Sequence, residues 1–201
     1  MYIESAAQLR KIYGYPKARA KDKQLDALEV HAINFIAHSP FVIMSSRSVK
    51  GCVDCSPRGG KPGFVKVLNQ NCLLFPEGKG NNRLDSLVNI VETGALGCLF
   101  LIPGIDETLR VNGVARVSTA AKHLTLFAND PHPPKSCIEL TIEEVFLHCA
   151  KALMRSELWA ASSKLDRAAL PTLGQMLSDQ LLLKQPPETQ ADMVLRYQQD
   201  L

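Results

Sequence analysis

At 201 residues, 46% hydrophobic and 21% charged, the chain has the composition of one folded domain with a substantial core, which argues against general disorder. A net charge of +3 gives no reason to invoke nucleic acid, and the few aromatics are not interleaved with basic residues as a stacking platform requires. The longest apolar run, Ala95 to Ile102, is far too short to span a bilayer, and Met1-Tyr2-Ile3-Glu4-Ser5 lacks the basic-then-apolar layout of a secretory signal. The expectation is a cytoplasmic protein with no membrane association. Six dispersed cysteines, mostly inside apolar strand-like runs, read as small buried hydrophobes in a reducing compartment.

In chain order, residues 1–21 hold a short helical stretch, broken at Tyr13-Gly14-Tyr15-Pro16, and then enter the basic run Lys17 to Lys23, read as a solvated arm. From Asp22 the pattern is helical, with Leu25, Leu28, Ala32, Phe35 and Ile36 on one face, and Ser39-Pro40 ends it. Phe41 to Ser46 and Cys52 to Ser56 form a hairpin around Val49-Lys50-Gly51. A second hairpin pairs Phe64 to Leu68 with Cys72 to Phe75. Asn82 is expected to cap a helix carrying Leu84, Leu87, Val88 and Val91, with Asp85 at its third position and Gly94 at its end.

Ala95 to Ile102 reads as a central strand buried on both faces. Thr108 to Ser118 alternates imperfectly around Gly113, which predicts a bulge or bend. Ala120 to Ala128 is a short helix, Asn129 to Pro134 a loop, and Cys137 to Cys149 a strand that passes into a helix over Ala150 to Trp159. Two further helices, Leu173 to Leu183 and Thr189 to Leu201, flank Pro186-Pro187. About seven strands, short turns, a single inserted helix and no βαβ order predict a mainly β fold with flanking helices, an antiparallel closed or half-closed barrel.

Few motifs carry chemistry. Cys52-Val53-Asp54-Cys55 matches Cys-x-x-Cys, but residues three apart on a strand face opposite ways and no second ligand pair completes a metal site. His148 and Cys149 are adjacent on a strand, so the imidazole does not activate the thiol. Gly-x-Ser-x-Gly, Walker and dinucleotide fingerprints are missing. More suggestive are Ser56-Pro57-Arg58-Gly59-Gly60 and Gly80-Asn81-Asn82-Arg83. A hydroxyl, two guanidinium groups and backbone N–H groups at a helix start offer a phosphate both charge and directional donors. An arginine opposes the dipole at a helix start, and a nearby anion would explain Arg83 there.

Taken together, Val53-Asp54-Cys55-Ser56-Pro57-Arg58-Gly59, Gly80-Asn81-Asn82-Arg83-Leu84-Asp85-Ser86-Leu87, Leu99-Phe100-Leu101-Ile102-Pro103-Gly104, Glu107-Thr108-Leu109-Arg110-Val111-Asn112-Gly113 and Phe146-Leu147-His148-Cys149-Ala150-Lys151-Ala152 resemble the FMN-binding split barrel of the pyridoxamine 5'-phosphate oxidase-like superfamily, in a bacterial branch. The resemblance runs from about Phe41 to Trp159. It implies an N-terminal helical arm over 1–40, a barrel over 41–159 and a C-terminal helical tail over 160–201 that packs on the barrel or on a partner subunit.

The resemblance further implies a homodimer with FMN at the subunit interface, its phosphate on Arg58 and Arg83 with Ser56 and Asn82 as supporting donors. Phe75 and Pro76 match positions just after a strand, whose backbone runs beside the flavin. Arg155 and Trp159 are candidates to approach it from the partner chain. The chain ends in Met193-Val194-Leu195-Arg196-Tyr197 instead of the Trp- and Arg-rich segment that grips a vitamin substrate, so the small-molecule substrate stays unknown. An FMN-dependent oxidoreductase is the first reading. A non-catalytic flavin-binding or sensing dimer is the second, and deazaflavin or haem (with His148 as axial ligand) is a third.

Overall fold

A computed structural model describes residues 2–17 and 22–200; residues 18–21, the middle of the basic run, and Leu201, the last residue of the helix expected over Thr189 to Leu201, lie outside the described residues. Seven strands, β1 (Phe41–Arg47), β2 (Val53–Gly59), β3 (Lys66–Asn69), β4 (Cys72–Pro76), β5 (Ala95–Leu101), β6 (Thr108–Ser118) and β7 (Cys137–His148), form one sheet in the order β2-β1-β5-β6-β7-β4-β3. Every neighbouring pair is antiparallel. The edge strands β2 and β3 do not pair with each other, so the sheet curls without closing. This is the mainly β, split-barrel fold class expected from the strand spacing.

Among the described residues the α-helices used below are α1 (Ala6–Tyr13), α2 (Val30–His38), α3 (Asp85–Thr93), α4 (Ala121–Leu124), α5 (Lys151–Ser156), α6 (Leu173–Leu181) and α7 (Gln190–Gln198). Alternation along the strands puts Val42, Met44, Leu96, Cys98, Phe100, Leu109, Val111 and Leu140 into one core. Leu28, Ala32 and Ile36 from around α2, with Ile90 from α3, join it from the helical side.

Several local readings change. The helix expected from Asp22 begins only at Val30, capped by the Glu29 carboxylate, which accepts from the backbone N–H groups of His31 (2.8 Å) and Ala32 (2.7 Å). Leu25 is extended because it exchanges both backbone bonds with Val145 of β7, at 3.0 and 2.7 Å. A tertiary bridge thus overrides the helical periodicity. Strand β5 is central, yet only Leu96, Cys98, Phe100 and Leu101 are buried, while Ala95, Gly97 and Leu99 on the outward face are half-buried.

Gly113 occupies the anticipated irregularity: the β6–β7 register shifts between Asn112 and Gly113. A Cβ there would collide with the Thr141 carbonyl oxygen, so the close approach of two backbones requires glycine. Near the far end of β6, buried His123 ties α4 to the sheet through Ser118 (2.8 Å) and Glu139 (3.1 Å). Among the described residues, no cluster of three metal-ligating side chains occurs and all six cysteines are free thiols.

Two outcomes follow from this packing. Gly113→Ala should destabilise the protein by about 2–4 kcal/mol, because backbone must move to admit one methyl group; urea unfolding midpoints measure it. Burial pushes the Cys98 and Cys137 thiols up, whereas the Lys151 backbone N–H holds exposed Cys149 below the usual thiol range. Iodoacetamide mapped by mass spectrometry should therefore modify Cys149 first and leave Cys98 and Cys137 unmodified until the protein unfolds.

Candidate functional site

The edge strand β2 alternates along Asp54, Ser56 and Arg58, which stand opposite Ser46, Met44 and Val42 of β1. All three therefore share the inward face, at the rim of the core. Pro57 points the other way, and an edge position is where a strand tolerates proline. Helix α3 crosses this rim with a polar stripe: Ser86, Asn89 and Thr93 recur at three- and four-residue intervals on its inner side. Asn89 Nδ2 donates to Ser46 Oγ at 3.0 Å, and Thr93 Oγ1 donates to the Arg47 carbonyl at 3.1 Å.

Ser86 links the two elements through a directed chain. Its hydroxyl donates to Asp54 Oδ2 at 2.6 Å, and Ser56 Oγ lies 2.8 Å from Ser86 Oγ. Each serine has one hydroxyl proton. With the Ser86 proton committed to Asp54, Ser56 is the donor in the serine–serine bond. Its oxygen in turn accepts from Arg58 Nη1 at 3.0 Å. Donation therefore runs one way, from guanidinium to carboxylate, and the Ser56 proton points at Ser86. Arg58 Nη1 also donates to the Pro57 carbonyl (3.0 Å), while Nε and Nη2 face the two oxygens of Glu77, both at 3.4 Å.

The second stretch is arranged differently from the sequence expectation. Helix α3 starts at Asp85, and Leu84, not Asn82, is its N-cap, without any side-chain capping bond. Asn82 and Leu84 both have positive φ (61° and 60°), so the chain turns twice in the left-handed region before the helix begins. Asn81 makes the local bond, its Oδ1 accepting from the Arg83 backbone N–H at 3.1 Å. Asp85 is accordingly the first helical residue rather than the third. Arg83, 75% exposed, pairs with Asp85 at 2.8 Å. The left-handed conformation of a leucine costs about 1–2 kcal/mol and makes this loop an unrelaxed element beside the rim.

Between β2, the 80–87 segment and the loop Pro131–Ser136 opens a cleft of about 1060 Å³. Its walls bring together Asp54, Ser56, Arg58, Pro76, Asn82, Arg83 and Ser86, with Glu77, Lys79, His132 and Lys135. The Glu77 backbone N–H donates to the Ser136 carbonyl at 3.0 Å, tying the two lips. Lys79 meets Asp200, just past α7, at 2.6 Å.

The remaining sequence candidates lie elsewhere. Phe75 and Pro76 belong to β4 itself. The Phe75 side chain is in the core, stacked on Phe100 with ring centroids 6.1 Å apart, and only Pro76 reaches the cleft. Arg155, on α5, does not line it. The Trp159 indole donates to the Ile105 carbonyl at 2.9 Å and borders a separate shallow cavity with Asp106 and Glu157. His148 packs edge-on to Phe146 outside the cleft, and burial together with the nearby Arg110 and Lys23 charges lowers its pKa. Sequence reasoning had not selected Asp54, Ser86, Glu77 or Lys79. The period-2 spacing of Asp54 with Ser56 and Arg58 was a usable signal; Glu77 had none.

The HupZ protein of Group A Streptococcus superposes with a TM-score of 0.51 at 14% identity, covering 60% of this chain and 93% of that one. A candidate pyridoxamine 5'-phosphate oxidase from Lactobacillus delbrueckii is 21% identical over 62% of this chain and 98% of its own, with a TM-score of 0.49. An FMN-binding protein from Syntrophomonas wolfei is 14% identical over 71% and 96%, with a TM-score of 0.44. No curated protein matches the chain. The family described as pyridoxamine 5'-phosphate oxidase matches residues 28–149, from the first core leucine to the end of β7 and just beyond, which is more than half of the sequence. The chain belongs to the pyridoxamine 5'-phosphate oxidase family.

Proposed function

We propose that this protein is an FMN-dependent oxidoreductase that works as a homodimer, with the flavin phosphate received in the cleft at Arg58. The observation that carries this reading is Arg58 itself: a guanidinium only 21% exposed, oriented by Ser56 and the Pro57 carbonyl, facing a cleft of nucleotide size. A half-buried arginine held in place loses little freedom on meeting a phosphate and is weakly screened by water. The Asn82 amide and the exposed Arg83 stand on the opposite lip as supporting donors, and this donor set fits a phosphate monoester. Ser56 acts by orienting Arg58. The Pro76 edge adds an apolar contact suited to a planar ring.

FMN, when bound, supplies the redox chemistry. The chain's own part is to hold the phosphate, shape the cleft and limit water access. The homodimer reading rests on apolar surface left uncovered in one copy. The outward sheet face exposes Phe41, Val53 and Val114, and the tail helix α6 exposes Leu177 (44%) and Leu181 (64%) one turn apart. We take 160–201 as a tail that braces the partner subunit.

Arg58→Ala should weaken FMN binding by about 2 kcal/mol, roughly thirtyfold, and leave riboflavin binding unchanged. Arg83→Ala, at a screened surface position, should cost only about 0.5–1 kcal/mol. Fluorescence titration of both flavins tests this: equal losses for FMN and riboflavin with folding intact would place Arg58 outside phosphate recognition. Bleaching of the bound flavin by NAD(P)H would separate a reductase from a sensing module. Introducing charge with Leu177→Asp/Leu181→Asp should shift sedimentation equilibrium toward monomer by at least tenfold in Kd, since each buried leucine contributes about 1.5–3 kcal/mol. An unchanged association constant would remove the bracing role of the tail.

A further inference from the structure

Three cations of the cleft wall are each matched by a carboxylate of the same chain: Arg58 by Glu77, Lys79 by Asp200 and Arg83 by Asp85. The three pairs are not equivalent. Lys79 and Arg83 are exposed (69% and 75%), so water screens their pairs and opening them costs little. Arg58 and Glu77 are 21% and 18% exposed, and theirs is the pair whose charges act at short range in a poorly solvated place.

The guanidinium has five N–H donors. Nη1 spends its two on Ser56 Oγ and the Pro57 carbonyl, both at 3.0 Å, which fixes that edge to the strand. The Nε and Nη2 edge, the fork that grips a carboxylate or phosphate in parallel, is taken by Glu77. Those two bonds are long, 3.4 Å each, and the Glu77 carboxylate accepts no other hydrogen bond among the described residues. Its backbone, by contrast, is fastened to Ser136. The side chain is therefore free to rotate away while the lip of the cleft stays in place.

We propose that Glu77 is an internal counter-anion that occupies the binding edge of Arg58, so that an anionic ligand enters by displacing one carboxylate with one phosphate. The inference rests on the reading of Arg58 as the phosphate receptor. A dianion with three equivalent oxygens outcompetes a carboxylate held at 3.4 Å, whereas an uncharged head group leaves the Arg58–Glu77 pair closed. Displaced, Glu77 remains as a negative neighbour, and the affinity of the cleft is set below what Arg58 alone would give. Glu77 is thus a specificity-determining residue of the cleft, reading charge rather than shape.

Full-length wild type, Glu77→Gln, Arg58→Ala and Arg58→Ala/Glu77→Gln, each titrated with FMN and riboflavin, test the exchange. Glu77→Gln should bind FMN roughly tenfold more tightly with riboflavin unchanged, and should gain nothing once Arg58 is absent. Weaker or unchanged FMN binding by Glu77→Gln would overturn the proposal, the former by showing that Glu77 orients Arg58 for the ligand. Thermal shifts with inorganic phosphate separate this outcome from failure of the flavin reading. If wild type does not distinguish FMN from riboflavin, a larger phosphate-induced rise in melting temperature for Glu77→Gln than for wild type, abolished in the double variant, still establishes the counter-anion. Equal shifts in all four proteins would refute it.

Discussion

The chain of hydrogen bonds from Arg58 through Ser56 and Ser86 to Asp54 joins the edge strand β2 to helix α3, which crosses it. An edge strand has one neighbour, so ladder bonds hold β2 along one side only. Side-chain bonds to α3 supply the second attachment. Because the carboxylate fixes the Ser86 proton, Ser86 fixes that of Ser56, and Ser56 in turn faces a donor of Arg58. Three hydrogen bonds thus separate the guanidinium from the carboxylate that helps to orient it. An amide at this position offers a donor as well as an acceptor, so it no longer dictates which way the Ser86 hydroxyl points.

Much of this was legible in the sequence because it depends on spacing. Two hairpins, the long β6 with its irregularity at Gly113, the helix stop at Gly94 and the tail helices all follow from alternation, helical period and glycine position. The same alternation carried Ser56 and Arg58 to one side of one strand. The sequence was less informative where long-range contacts decide local shape. Leu25 leaves the helical pattern to bond β7, and Asn82 yields the N-cap to Leu84 because the loop reverses through two left-handed residues. Asparagine is a good cap and also a good left-handed residue, so its identity does not choose between the two.

Glu77 shows a further reason for illegibility. It stands nineteen residues from Arg58, in a loop with no periodicity, and its role appears only when β4, the cleft lip and β2 are in one frame. Phe75 and Pro76 make the complementary point. Consecutive residues in a strand divide between core and cleft, so a matched block of sequence transfers a backbone position more reliably than a side-chain role.

The two free margins of the sheet have a consequence for how copies of this chain meet. At one margin, β2 has a pyrrolidine ring at Pro57 where an added strand would seek an amide hydrogen; at the other, β3 is only four residues long. Neither is a good template for continuing the sheet from one molecule into the next. Runaway, fibre-like growth through shared ladders is thereby disfavoured at both ends. Any pairing of two copies is thereby steered toward the faces and the helical tail, where contacts can be mutual and finite.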